Sequence, residues 1–130
     1  MQKLIVIVIG VGALHIINAL WMWLWPENWY LTVPGVTATG PFNMHFVRDI
    51  ALIFLVSGSG LIWSALRGPI ALGLWAAMWP CLHALFHIWI WAGRGAPFDF
   101  VALSNLLGIQ LPAWLALISI TLLIKKDTDR

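Results

Sequence analysis

Charge is what this sequence has least of. Lys, Arg, Asp and Glu make up 9% of its 130 residues, against 62% that are hydrophobic. Soluble domains usually carry about 25% charged residues, so a water-soluble globule is excluded: too little polar surface exists to cover the apolar remainder. Cysteine is limited to Cys81, which excludes an internal disulfide and any multi-cysteine metal site. The net charge is +2 and the basic residues sit at loops and ends rather than in a stripe, which argues against nucleic-acid binding. There is no phosphate-binding glycine loop and no nucleophile triad. The chain outside the apolar runs is also too short to form a soluble catalytic domain, so any chemistry must occur among helices or in a partner.

What is present is apolar length. Four runs, residues 4–25, 46–66, 70–91 and 101–124, can each cross the bilayer, since about 30 Å of hydrocarbon takes about 20 helical residues. Backbone polar groups find no water there, so each run is expected to be helical. The result is an all-α, four-helix transmembrane bundle forming a single membrane domain over residues 1–130. The first run is too long for a removable signal segment and has no small-residue cleavage pattern near its end. Lys3, Arg67, Lys125, Lys126 and Arg130 fall on one side of such a layout, and only Arg48 and Arg94 on the other. The positive-inside bias then puts both termini in the cytoplasm.

The segment 26–45 holds Pro26, Pro34, Gly35, Gly40 and Pro41 and is expected to form an irregular extracytoplasmic cap, with Trp29 and Tyr30 at headgroup level. Most of the ten tryptophans read as interfacial anchors or packing residues. Trp75 and Trp79, one turn apart in mid-helix, are the candidates for lining a pocket instead. Asn43 and Asp99, each placed just after a Pro-Phe pair, suit the caps of the second and fourth helices, a likeness consistent with two repeated hairpins. Ser57-Gly58-Ser59-Gly60 and Gly73-x-x-x-Ala77 should let helices approach closely, and Pro112 should kink the fourth helix.

Ionisable side chains inside a membrane are costly unless paired or hydrated, so they are functional candidates. Here they gather in the outer half. At 1.5 Å per residue, His45 lies near the outer surface, Asp49 and His87 roughly 7–9 Å down, Asn18 roughly 10 Å, and His83 and His15 roughly 13–15 Å. His83 and His87 share one face of the third helix, as His45 and Asp49 do on the second. Three ligand chemistries fit. A metal ion (Zn, Cu or Fe) would use His45, Asp49, His83 and His87, with Asn18 and Arg48 as supporting partners. A haem b would be held between His15 and His83. A quinone would sit between aromatic walls such as Trp75 and Trp79, with a His and Asp for proton exchange. Against these stands a structural reading, in which the histidines hydrogen-bond Asn18, Asp49, Ser57 or a backbone carbonyl.

The stretch Trp29-Tyr30, Pro34-Gly35-Val36, Thr39-Gly40-Pro41-Phe42-Asn43, His45-Phe46 and Arg48-Asp49-Ile50 resembles a pattern recurring in small bacterial inner-membrane proteins. With its four-helix layout and Gly/Ser-rich second helix, the chain is similar to the DoxX-like group. That resemblance implies a membrane subunit, in some members of a quinone-linked oxidoreductase; no catalytic residue carries over. The expectation is therefore a small membrane subunit or binding protein, partnered by lipid and by a larger membrane complex or further copies of itself. The alternative is an accessory or assembly subunit. A reporter active only in the cytoplasm should work when fused after Arg130 or inserted at Gly68, and be silent at Gly95; the opposite pattern would invert the topology.

Overall fold

The computed structural model describes residues 1–128, so Arg130, one of the basic residues assigned to the cytoplasmic side, lies outside the described residues. Among the described residues the chain is mostly helical, without strands, and four helices are long and apolar enough to cross a membrane. They are α1 (Gln2–Leu24), α3 (Met44–Leu66), α4 (Leu72–Gly93) and a fourth span made of α5 (Phe100–Asn105), a π-helical turn (Leu106–Gln110) and α6 (Leu111–Thr128). At 1.5 Å per residue, 23 residues rise about 34 Å, enough for the hydrocarbon core. The four form a ring in which α1 packs against α3 and α6, and α4 packs against the same two. Met1, Ser64, Ala65 and Asp127 line one cleft, so the start of α1, the end of α6 and the end of α3 lie at the same end of the bundle.

The segment expected to be irregular contains a short helix, α2 (Pro26–Thr32), and a 3-10 turn at Val36–Thr39. Pro26 ends α1 because it has no N–H to donate, but its fixed φ suits a first helical position, so it also starts α2. Trp29 Nε1–H donates to Asn18 Oδ1 at 3.0 Å, and the Tyr30 hydroxyl donates to the Gly40 carbonyl at 2.6 Å. These bonds tie the cap to α1 and to its own far end. The two expected caps are formed: Asn43 accepts from Phe46 N–H at 3.1 Å and Asp99 from Ala102 N–H at 2.8 Å. Asn43 carries α3 back to Met44, two residues earlier than its apolar pattern implies. The Ala102 N–H, with the Arg94 guanidinium beside it, holds the Asp99 carboxyl below the usual carboxylate range. The charged cap thus persists throughout that range and is lost only as pH falls below it, through the lowered folded-state value.

Two glycines let the α1 and α3 backbones meet. A Cβ on Gly12 would lie 2.8 Å from the Gly58 carbonyl oxygen, and one on Gly58 would lie 2.6 Å from the Gly12 carbonyl oxygen. Backbone meets backbone, so neither side can yield by changing rotamer. Below this crossing, toward the chain ends, Val8, Leu61, Ala77, Ala116, Ile120 and Leu123 form the main buried cluster. Above it, Met22, Val47 and Ala51 pack beneath Trp29. Cys81, Ala84 and Ala113 join α4 to the fourth span.

Both spans that contain an internal proline accommodate it locally. Pro80 lies within α4, and the Ala76 carbonyl that loses its helical partner accepts from the Ser57 hydroxyl of α3 at 2.7 Å. The break expected at Pro112 is the π-helical turn just before it, where Leu111 N–H bonds to the Leu106 carbonyl, five residues back. Gln110, at the end of that turn, donates to the Ala84 carbonyl at 2.8 Å and accepts from Trp114 Nε1–H at 3.0 Å.

The Gly58→Ala variant should force α1 and α3 apart and destabilise the bundle by about 1–3 kcal/mol. Gly10→Ala, which meets nothing within 4 Å, should leave stability unchanged. Cys81, the single and buried cysteine, supplies the measurement: its thiol should resist a maleimide dye until the bundle opens, at lower temperature in Gly58→Ala.

Candidate functional site

Four elements converge on a patch of aromatic rings and imidazoles halfway along the bundle. The periodicity of α4 supplies one row: Trp79, His83 and His87 follow each other at intervals of four and so share a face. The Trp79 indole stacks on the His83 imidazole (4.8 Å between centroids, 11° between planes), and His83 meets His87 edge-on at 4.5 Å. From α3, Phe54 sets its edge against Trp79 at 4.8 Å and lies 6.2 Å from His83. His15, 4% exposed, comes from α1 and packs against the other side of Phe54 at 5.3 Å. The Gly12–Gly58 crossing brings His15 this close, because a Cβ on Gly58 would stand 3.1 Å from the His15 Cβ.

Between His15 and His83 lies a cavity of about 10 Å³, lined also by Phe54, Pro80, Gly108 and Ile109. That is about the space one water or one small ion occupies. Both prolines bear on it: Pro80 lines the wall directly, and Pro112 has no N–H to offer the carbonyl of Gly108, four residues back. The wall on the fourth span is therefore the π-helical turn, a local widening of the kind often found at functional sites.

The imidazoles are incompletely satisfied. His15 Nδ1 lies 3.4 Å from the Ser57 hydroxyl oxygen. His87 Nδ1 is buried without a hydrogen-bond partner, with the Asn105 side chain nearby. A buried polar atom left unpaired costs roughly 1–3 kcal/mol, and native structures rarely tolerate one without an ion, a water or a function to explain it.

The remaining candidate residues lie elsewhere. His45 and Asp49 pair at 3.2 Å at the start of α3, with side chains 88% and 54% exposed. Among the described residues, no group of three His, Cys, Asp or Glu side chains comes together as a metal-binding cluster, so His45, Asp49, His83 and His87 are two separate pairs. The face of α3 that carries His45 and Asp49 points outward, while Val47 on the same turn is buried. Arg48 Nε–H donates to the Trp23 carbonyl at 3.3 Å and its guanidinium covers the Trp23 ring, 5.5 Å from the centroid, which closes the end of α1. Asn18 is engaged with Trp29 and with Met22 Sδ at 3.4 Å, holding α2 rather than supporting a histidine. Trp75 is 71% exposed and points away from the site, whereas Trp79 forms part of it. Cys81 donates toward the Ala113 carbonyl at 3.5 Å.

Sequence reasoning missed Phe54, Pro80 and Gly108. The lack of an N–H at Pro80 and Pro112 was the available signal. Each marks a carbonyl four residues earlier, Ala76 or Gly108, as in need of another partner.

Replacing Ser57 by Ala removes the donor to the freed Ala76 carbonyl and should lower stability by about 0.5–2 kcal/mol. His87→Phe removes an unpaired polar atom and should leave the stability of the ligand-free protein equal or higher. Thermal unfolding of both variants, followed by dye labelling at Cys81, checks the contrast.

No family model, no curated protein and no solved structure matches the chain.

Proposed function

We propose that this multi-pass membrane protein is a small ion-binding subunit, and that its ligand is a single transition-metal ion of low charge held between His15 and His83, with His87 beside them. The observation that carries this reading is the ion-sized cavity lined by two imidazoles, His15 and His83; His87 packs edge-on against His83 outside that lining. Room of about 10 Å³ suits an ion better than a haem or a quinone ring, and Phe54 fills the space a macrocycle between His15 and His83 would need.

Charge selects among ions. Moving a unit charge from water into a medium of low dielectric costs of order 20 kcal/mol, and because the cost grows as the square of the charge, a divalent ion costs roughly four times more. No carboxylate among the described residues stands with these imidazoles to offset it. Imidazole nitrogens suit copper, and copper(I), monovalent and content with few ligands, fits this site better than Zn²⁺ or Fe²⁺. In the positive-inside orientation His87 continues the imidazole row from His83 toward the outer side, which makes that side the route we assign to the ion.

A second reading, an accessory subunit docked on a larger membrane complex, is favoured by Phe98 and Phe100, which are 98% and 71% exposed beside the α4–α5 turn. The DoxX-like resemblance of residues 29–60 also points to a subunit of a larger redox assembly.

The test is anaerobic titration of protein in mild detergent with copper(I) against a chromophoric chelator, together with elemental analysis and a visible spectrum. About one ion per chain is expected. His83→Phe should weaken binding at least tenfold, while His45→Ala should leave it unchanged. Absence of copper(I) binding, a Soret band, or an equal loss in His45→Ala would overturn the reading; copurification of a larger enzyme with metal-free protein would favour the accessory role.

A further inference from the structure

The hydrogen bonds around Ser57 determine which nitrogen of His15 is free. The Ala76 carbonyl can only accept, so at 2.7 Å the Ser57 hydroxyl must be its donor. A hydroxyl has one proton. With that proton committed, the Ser57 oxygen can only accept from His15 Nδ1, 3.4 Å away, so Nδ1 carries the imidazole proton. The cause of the arrangement lies four residues further along α4. Were residue 80 not proline, its N–H would occupy the Ala76 carbonyl and Ser57 would be free to donate to His15 instead.

We infer that Ser57 and Pro80 together are positioning residues that hold His15 as its Nδ1–H tautomer and so present the Nε2 lone pair as the ligating nitrogen of the His15–His83 cavity. Ser57 does not touch the ligand; it acts through His15, as the outer partners of metal-binding imidazoles commonly do by fixing the tautomer of the ligating ring. His15 is 4% exposed, so an unpaired Nε2 has the cavity it lines as its outlet. The inference rests on the ion-binding reading for its purpose. Its structural content stands apart from that reading and is read without any metal.

The experiment is nitrogen-15 and carbon-13 NMR of histidine-labelled protein in bilayers or micelles, metal-free and at a pH at which the imidazoles are neutral, with His15 assigned by its loss in His15→Gln. Wild type should show His15 as the Nδ1–H form. Pro80→Ala restores the N–H at residue 80 and should shift His15 toward the Nε2–H form, and Ser57→Ala should give a mixture of the two. Ser57→Thr, which keeps the hydroxyl, should retain the wild-type tautomer. Copper(I) affinity should fall about tenfold or more in Ser57→Ala and recover in Ser57→Thr. A wild-type His15 found in the Nε2–H form overturns the inference even if no variant folds, and so does a folded Pro80→Ala with unchanged tautomer. If the tautomers behave as stated but wild type binds no copper(I), the ion-binding reading fails and the positioning by Ser57 and Pro80 stands. If copper(I) binds and Ser57→Ala leaves both tautomer and affinity unchanged, the positioning fails and the reading stands.

Discussion

In hydrocarbon a carbonyl that loses its helical donor finds no water to replace it, and much of this bundle is arranged around that constraint. Pro80 creates such a carbonyl at Ala76, one turn into α4, where the helix start can no longer offer it water. The Ser57 hydroxyl answers it from across the helix interface, which fixes the register of α3 against α4 and brings Ser57 within reach of His15 on α1. One missing N–H thereby links three helices through a chain of polar contacts. The Gly12–Gly58 crossing makes the chain short enough to close, because only two residues without side chains let the α1 and α3 backbones come within contact of each other.

The polar groups of the bundle divide by task. Asn18, Arg48, Gln110 and Asp99 each satisfy a specific backbone or side-chain partner near a helix end or joint, and their roles are architectural. His83 and His87 differ: they are engaged mainly through their ring faces and edges, with Trp79 and Phe54, and one of their nitrogens, His87 Nδ1, is buried without a partner. Aromatic packing fixes ring orientation without consuming lone pairs. That combination is what a neutral-ligand ion site requires, and it sets these two residues apart from the exposed His45–Asp49 pair on the same half of the protein.

The four spans were legible in the sequence because lipid imposes one rule on every apolar run, and the caps at Asn43 and Asp99 were legible because capping is local. The grouping of His83 with His87 followed from helical spacing alone. The joining of His45 and Asp49 to that pair did not, since it needed the rotation of α3 about its own axis, and spacing within one helix says nothing of rotation relative to another. Trp75 and Trp79 show the same limit: they stand one turn apart on α4, yet one faces outward and the other packs on His83. The helix at Pro26–Thr32 was hidden by its own proline, which marks the end of one helix and the start of the next with the same residue.

The π-helical turn at Leu106–Gln110 also acts on the angular phase of the fourth span. A turn of α-helix holds 3.6 residues and advances about 100° per residue, so one additional residue in a turn leaves everything before it out of step by about that angle. Residues on the α5 side of the turn, Asn105 beside His87 among them, thus face a direction that a straight helix continued back from α6 would not give them. The two halves of this span can each present their own face to α4, one closing on Cys81 through Ala113 and the other meeting the imidazole row. Removing a single residue from 106–110 would bring the halves into phase as one regular helix and swing Asn105 about a quarter-turn around its axis, away from His87.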